Sequence, residues 1–138
     1  MAYNIVWEPD GIHKLYSGFV TGREMLESCR KIHSDPRFDE MRYVINDFSE
    51  VSGHDLTEDA LTDLAVANYG AHASNPNCRV VFVTPDENLA KAITDNLMSP
   101  NLKSYQVDVK PTVSEARDWL DSQPRLYEMS GVMGMRGI

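Results

Sequence analysis

The side chains best suited to chemistry crowd into the middle of the chain. Asp47, Ser49, Glu50, His54, Asp55 and Thr57 follow one another closely, and Glu58 and Asp59 come next. A histidine among carboxylates can shuttle a proton, and Asp47 with Ser49 and His54 could in principle support acid–base work. The plainer reading is that Asp47 and Ser49 hydrogen bond nearby loop amides, that His54 is a solvated loop histidine and that Thr57 caps a helix. His54 and Asp55 are adjacent and no second histidine stands at helical spacing from His54, so the spacing defines no metal site. His13 and His33 have no supporting constellation in the sequence. We therefore expect no catalytic residues, no metal and no cofactor, and take Asp47, Ser49, Glu50, His54, Asp55 and Thr57 as candidate partner- or ligand-binding residues.

Charge gives the same segment a second meaning. The 138 residues carry 13 Lys and Arg against 21 Asp and Glu, a net charge of −8. From Tyr43 to Cys78 there is no Lys or Arg at all, while Asp47, Glu50, Asp55, Glu58, Asp59 and Asp63 all fall there. Such a balance argues against a nucleic-acid partner, which needs a basic face, and against docking on an anionic membrane. It suits a partner protein with a basic surface.

These residues must be positioned by elements that can be read from patterning. Tyr3–Trp7 reads as a strand, Glu8-Pro9-Asp10-Gly11 as a turn and Ile12–Val20 as a second strand, together a hairpin. Thr21-Gly22-Arg23-Glu24 is a capping box that opens a helix carrying Met25, Leu26, Cys29 and Ile32 and stopping near Pro36. Arg42–Phe48 is a third strand, and the Ser52–Thr57 stretch reads as a loop. Thr57 opens a second helix with an apolar stripe of Leu61, Leu64, Ala65 and Tyr69. Arg79–Val83 is a strand covered on both faces. Thr84-Pro85-Asp86-Glu87 is a second capping box with Pro at N1, before a helix of Leu89, Ile93 and Leu97. Ser104–Val109 is a fifth strand, and Thr112-Val113-Ser114-Glu115 caps a last helix containing Ala116, Trp119 and Leu120.

The order β-β-α-β-α-β-α-β-α predicts an α/β fold: a mixed, mostly parallel five-stranded sheet with helices. Residues 1–124 form one domain and 125–138 a glycine-punctuated tail. Ligands of such sheets bind beyond the carboxyl ends of the strands. That rim is expected to collect Asp47, Phe48, Ser49, Thr84 and the Ser52–Thr57 loop. Trp7, Tyr16, Phe19, Phe48, Tyr69 and Tyr105 could line an apolar cavity, or simply fill the core. Arg37 is expected to order its loop through Asp35 or Asp39.

Several classes are excluded by what the sequence lacks. G-x-S-x-G, the phosphate-loop pattern, G-x-G-x-x-G, H-E-x-x-H and C-x-x-C are all missing. No apolar run is long enough to span a bilayer, and the N-terminal residues lack a signal-peptide pattern. Cys29 and Cys78 read as buried, reduced thiols, which points to the cytoplasm.

The order of elements, with Phe19-Val20-Thr21, Asp35-Pro36-Arg37-Phe38-Asp39, Asp47-Phe48-Ser49 and Ala116-Arg117-Asp118-Trp119-Leu120, resembles the SpoIIAA-like (STAS-like) superfamily and its uncharacterised bacterial branch. The resemblance spans about residues 3–121. It implies a small αβ domain of successive strand–helix turns, often without enzymatic activity, of the kind found in anti-sigma-factor antagonists and in domains attached to anion transporters. In those regulators a phosphorylatable Asp-Ser-Ser-Gly motif opens a helix and controls docking to a kinase. The matching stretch here is Asp55-Leu56-Thr57-Glu58. Thr57 could stand where the switch hydroxyl stands, but Leu56 replaces a serine, and Glu58 replaces the glycine and would repel a phosphate.

The expected function is thus a regulatory or protein-interaction module docking an unidentified protein partner through its acidic surface. The alternatives are a binder of a small apolar or lipid-like ligand and, less strongly, a Ser/Thr phosphoswitch. A homodimer is a further expectation, since small sheet domains often cover an edge by self-pairing, with Met98, Met129, Met133 and Met135 as adaptable contacts.

Overall fold

In the computed structural model, residues 3–98 and 107–123 are described. Strands β1 (Tyr3–Trp7), β2 (Gly11–Val20), β3 (Tyr43–His54), β4 (Arg79–Val83) and β5 (Val107–Lys110) form one sheet in the order β1-β2-β3-β4-β5. The β1–β2 pair is antiparallel and the other three pairs are parallel. The expected hairpin, crossovers and mixed five-stranded sheet are all present. The tail at 125–138 and the start of the expected fifth strand at Ser104, with Tyr105, lie outside the described residues.

Helices α1 (Gly22–His33), α2 (Glu58–Ser74) and α3 (Glu87–Leu97) connect successive parallel strands. They share one core with the sheet, built around Tyr16, Met25, Phe48, Leu61, Leu64, Phe82, Leu89 and Ile93. Strand alternation sends Ile45, Val81 and Val83 to the opposite face, where α4 (Val113–Ser122) covers them with Ala116, Trp119 and Leu120. β4 is buried on both faces for this reason, as its unbroken apolar run implies. Arg117 of α4 donates to both carboxylate oxygens of Glu8, at 3.1 and 2.8 Å, and the Tyr43 hydroxyl donates to the same group. Together they tie α4 to the β1–β2 turn.

Local chemistry explains most element ends. Thr21 caps α1 in a complete box: its hydroxyl accepts from the Glu24 amide at 3.1 Å, and the Glu24 carboxylate accepts from the Thr21 amide. Thr57 and Thr112 cap α2 and α4. The cap of α3 is Asp86, and not Thr84 as the second box suggested. The Asp86 carboxylate accepts from the amides of Asn88 and Leu89, so it satisfies two orphan donors at once, while Thr84 only accepts from the Asp86 amide. A short 3-10 turn at Pro36–Glu40 follows α1; the buried Asn75 side chain donates to the carbonyls of Phe38 and Met41 and fastens it. Arg37 is paired with Asp35 at 2.8 Å and stacks over the Trp7 ring, 3.8 Å from its centroid.

β3 is longer than the sequence suggests. It continues through residues 49–54, polar or small except for Val51, paired with Ser17–Val20 of β2, so the expected Ser52–Thr57 loop shrinks to 55–57. Register shifts after Leu15 and Gly18 let β3 carry extra residues against β2. Gly18 takes φ +67° there, a conformation that suits glycine. The result is a two-stranded arm reaching past the rest of the sheet.

Candidate functional site

The arm ends where α1 and α2 begin. The Asp55 carboxylate accepts from the Gly22 amide at 2.7 Å, capping a free donor at the start of α1, and the Asp55 amide donates to the Val20 carbonyl. The Thr57 hydroxyl accepts from the Ala60 amide at 3.2 Å at the start of α2, with Glu58 and Asp59 in the first turn. Both acids complement the positive end of the helix. The helices approach closely here: a Cβ on Gly22 would lie 2.7 Å from the Ala60 Cβ. Gly22, Arg23, Leu26, Asp55, Thr57, Ala60 and Asp63 line a shallow groove of about 320 Å3. Glu50, Asp55, Glu58, Asp59 and Asp63 are exposed. Phe19, beside Gly53 on the arm, is a large apolar side chain and is 58% exposed.

The candidate residues divide between this rim and the interior. Ser49, Glu50, Asp55 and Thr57 are exposed and His54 is half-buried. His54 Nδ1 accepts from the Leu56 amide at 3.1 Å, so the ring braces the turn into α2. Asp47 and Phe48 do not stand on the rim as expected. Phe48 is core, stacked edge-on against Tyr16 at 4.8 Å. Asp47 is buried and takes a hydrogen bond from His13 Nε2 at 2.9 Å and two from Ser49, one from its amide and one from its hydroxyl. Burial opposes the Asp47 charge, but the Ser49 hydroxyl and amide and the His13 ring outweigh it and hold the carboxyl below its ordinary range. His13 therefore has the constellation that the sequence did not reveal. His54 bonds elsewhere, so Asp47 and Ser49 are joined without it. Thr84 is buried as well.

The helix-covered face holds a polar cluster that the sequence reading overlooked. Lys14 is 1% exposed. Its ammonium donates to Ser28 Oγ at 3.2 Å and to Cys29 Sγ at 3.4 Å, and lies 5.7 Å from the Tyr16 ring centroid. The Ser28 hydroxyl donates to the Met25 carbonyl and is 2.6 Å from the Tyr16 hydroxyl, so its bonding capacity is full. Burial penalises the Lys14 charge, yet the Cys29 thiol and Tyr16 phenol beside it outweigh that and raise its pKa above the ordinary value. Asn46 of β3 and Asn68 of α2 are also buried, and Asn46 Oδ1 and Asn68 Nδ2 have no hydrogen-bond partner. These three side chains line one cavity of about 20 Å3. Alternation was the available signal: Lys14 lies between Ile12 and Tyr16, and Asn46 between Val44 and Phe48, at inward positions of their strands. On α2 the inward stripe Leu61, Leu64, Ala65 continues at Asn68, so Tyr69 faces out, 55% exposed. The aromatics do not enclose an apolar cavity among the described residues: Tyr3, Tyr16 and Phe48 are core, while Phe19 and Tyr69 are exposed. Cys29 and Cys78 are free and buried, and burial pushes the Cys78 thiol up to about 12.

Comparison with solved structures identifies the architecture. The chain is similar to the anti-sigma factor antagonist SpoIIAA in its unphosphorylated form, with a TM-score of 0.59 and 14% identity, over 88% of this chain and 100% of that one. It is also similar to an uncharacterised DUF3478-family protein from Shewanella loihica PV-4, described as having a SpoIIAA-like fold, with a TM-score of 0.51 and 18% identity, over 86% of this chain and 92% of that one. No protein-family model and no curated protein matches the sequence. The chain thus has the SpoIIAA-like, or STAS-like, fold that the order of its elements suggested. Among the described residues, no helix is long and apolar enough to cross a membrane.

Proposed function

We propose that this protein is a non-catalytic interaction module of the cytoplasm that docks a basic protein surface at the acidic end of its sheet. One observation carries the reading. Asp55 and Asp63 line a 320 Å3 groove together with Arg23, and Glu50, Glu58 and Asp59 are exposed on the same stretch of chain, Tyr43–Cys78, which has no Lys or Arg. Carboxylates steer a basic partner and set its orientation, and the exposed Phe19 on the β2–β3 arm offers an apolar anchor of the kind that binding energy concentrates on. The groove is open, and Asp55 and Thr57 in it are bonded to helix ends, an arrangement for contact more than for turnover. The fold supports the same reading, since SpoIIAA, which shares it, is an anti-sigma factor antagonist.

The test is capture on the immobilised protein from extract of its own cells. At low salt the wild-type protein should enrich a partner that is released near ~0.5 M salt, where surface charges are screened within a few ångströms. The variant Phe19→Ser/Glu50→Lys/Asp63→Lys should enrich far less of it. Equal capture by the two proteins, or no salt-sensitive partner, refutes the proposal.

A further inference from the structure

The middle of α2 presents an uncharged face that the fold leaves open, separate from the docking rim. α2 is seated between α1 and α3 and turns Leu61, Leu64, Ala65 and Asn68 inward. Val66, Tyr69, Gly70 and Ala73 stand at i, i+3, i+4 and i+7, on one side of the helix, and all four are exposed. Val66 is 57% and Tyr69 55% exposed, although both are large and Val66 is wholly apolar. Gly70 is the sharper sign. A glycine inside a helix destabilises it relative to alanine. Gly70 has no positive φ, and it is not the cap, since Asn75 closes α2. A Cβ there would stand in open space, with nothing within 4 Å, whereas a Cβ on Gly22 would strike Ala60. Packing within the described residues therefore does not call for glycine at 70; close approach of a second backbone does. Charge narrows the choice of occupant. From Leu64 to Cys78 there is no Asp, Glu, Lys or Arg, in a chain of net charge −8. Burial lowers the pKa of His72, so its ring adds no charge at neutral pH. A basic or an acidic partner finds nothing here to pair with. Two copies of so acidic a chain repel each other, and a neutral face is where that repulsion is least.

We propose that the occupant is a second copy of this chain, with the two α2 helices antiparallel about a twofold axis between Tyr69 and Gly70. The order of side-chain sizes makes the stripe complementary to itself. Read along the helix, Val66, Tyr69, Gly70 and Ala73 run large, large, small, small; read in reverse they run small, small, large, large. An antiparallel copy thus sets Val66 on the partner's Ala73 and Tyr69 on the partner's Gly70, and the twofold repeats both contacts. This is the isologous pairing of a symmetric dimer, and the glycine lets the backbones close. One helix face makes a small interface, so the dimer is weak, with a dissociation constant on the order of micromolar or above.

Sedimentation equilibrium of the full chain at neutral pH, from ~10 to ~500 μM, reads its mass against the 15.6 kDa of one chain. The wild type should rise towards twice that mass with concentration. It should do so more readily near ~0.5 M salt, which screens the repulsion between the copies, whereas capture at the rim is released by salt. Gly70→Leu puts a good helix former where a Cβ meets nothing. It should melt no lower than wild type at the lowest concentration and keep the mass of one chain throughout. Cross-linking gives a second, independent reading. Val66→Cys mixed with Ala73→Cys should form an intermolecular disulfide several-fold faster than either variant alone, since the native Cys29 and Cys78 are buried. A wild type that keeps the mass of one chain at every concentration overturns the proposal. So does a dimer that salt dissociates, a Gly70→Leu variant that dimerises as wild type does, or a mixture that cross-links no faster than its components. Gly70→Leu leaves Phe19, Glu50, Asp55 and Asp63 in place, so partner capture at the rim persists in it, and the two surfaces fail independently.

Discussion

At the scale of single residues, His33 shows how the interior reacts to a buried charge. Its ring packs on Phe38 at a centroid distance of 5.0 Å. Burial first, and then the Lys14 charge, lower its pKa from 6.5 to about 4. The folded protein therefore holds His33 neutral where the unfolded chain already takes a proton. Its contribution to stability is present above pH 6.5 and is lost as pH falls towards 4, at most about 3 kcal/mol for that gap. Urea unfolding between pH 7 and pH 4 should show a steeper loss of stability for the wild type than for His33→Gln; parallel curves would refute the assignment. Asp47 illustrates the limits of reading residues one at a time. The sequence shows an acid after a strand, but whether it faces a partner or His13 depends on the partner strand's register, with Leu15 opposite Asp47 and His13 opposite Ile45. Lys14, Asn46 and Asn68 were legible singly as polar residues at inward positions. That they meet in one cavity follows from the pairing of β2 with β3 and the seating of α2, which no local pattern encodes.

At the scale of elements, caps and periodicity were the legible signals. Thr21, Thr57 and Thr112 each cap the helix their sequence pattern announces. Thr84 does not, because Asp86 two residues later offers a carboxylate that satisfies two amides. The extension of β3 through Ser49–His54 was hidden because Val51 is its one apolar side chain among polar or small ones, whereas the ladder with β2 is made by backbone groups that side-chain patterning does not report. Two predictions belong here. Thr57→Ala should cost about 1 kcal/mol in chemical denaturation, the usual value of an N-cap, while leaving the fold intact by circular dichroism. Gly22→Ala should cost more, roughly 1–3 kcal/mol, since its methyl would meet the Ala60 Cβ at 2.7 Å and force α1 and α2 apart. The double variant Gly22→Ala/Ala60→Gly should recover most of that loss; no recovery would place the strain elsewhere.

At the scale of the molecule, charge and fold converge on one end. The acids from Glu50 to Asp63 are contiguous in sequence, and the structure keeps them together because β3 delivers the chain directly to the start of α2. Some of this charge serves the helix: Glu58 and Asp59 lie in its first turn. Glu50 and Asp63 have no such local duty among the described contacts, and they are the side chains whose neutralisation should act on association alone. Glu50→Gln/Asp63→Asn should slow association with the captured partner several-fold at low salt while leaving dissociation nearly unchanged, as measured by surface plasmon resonance. Unaltered association would show that the acids are solvated spectators. The most direct test of the docking account is a hydrogen-exchange footprint of the captured complex. The account predicts protection at Ser17–Val20, at residues 50–57 and in the first turns of α1 and α2, with α4 unchanged. Protection confined to α4 and its sheet face, with the rim exchanging as in the free protein, would contradict it.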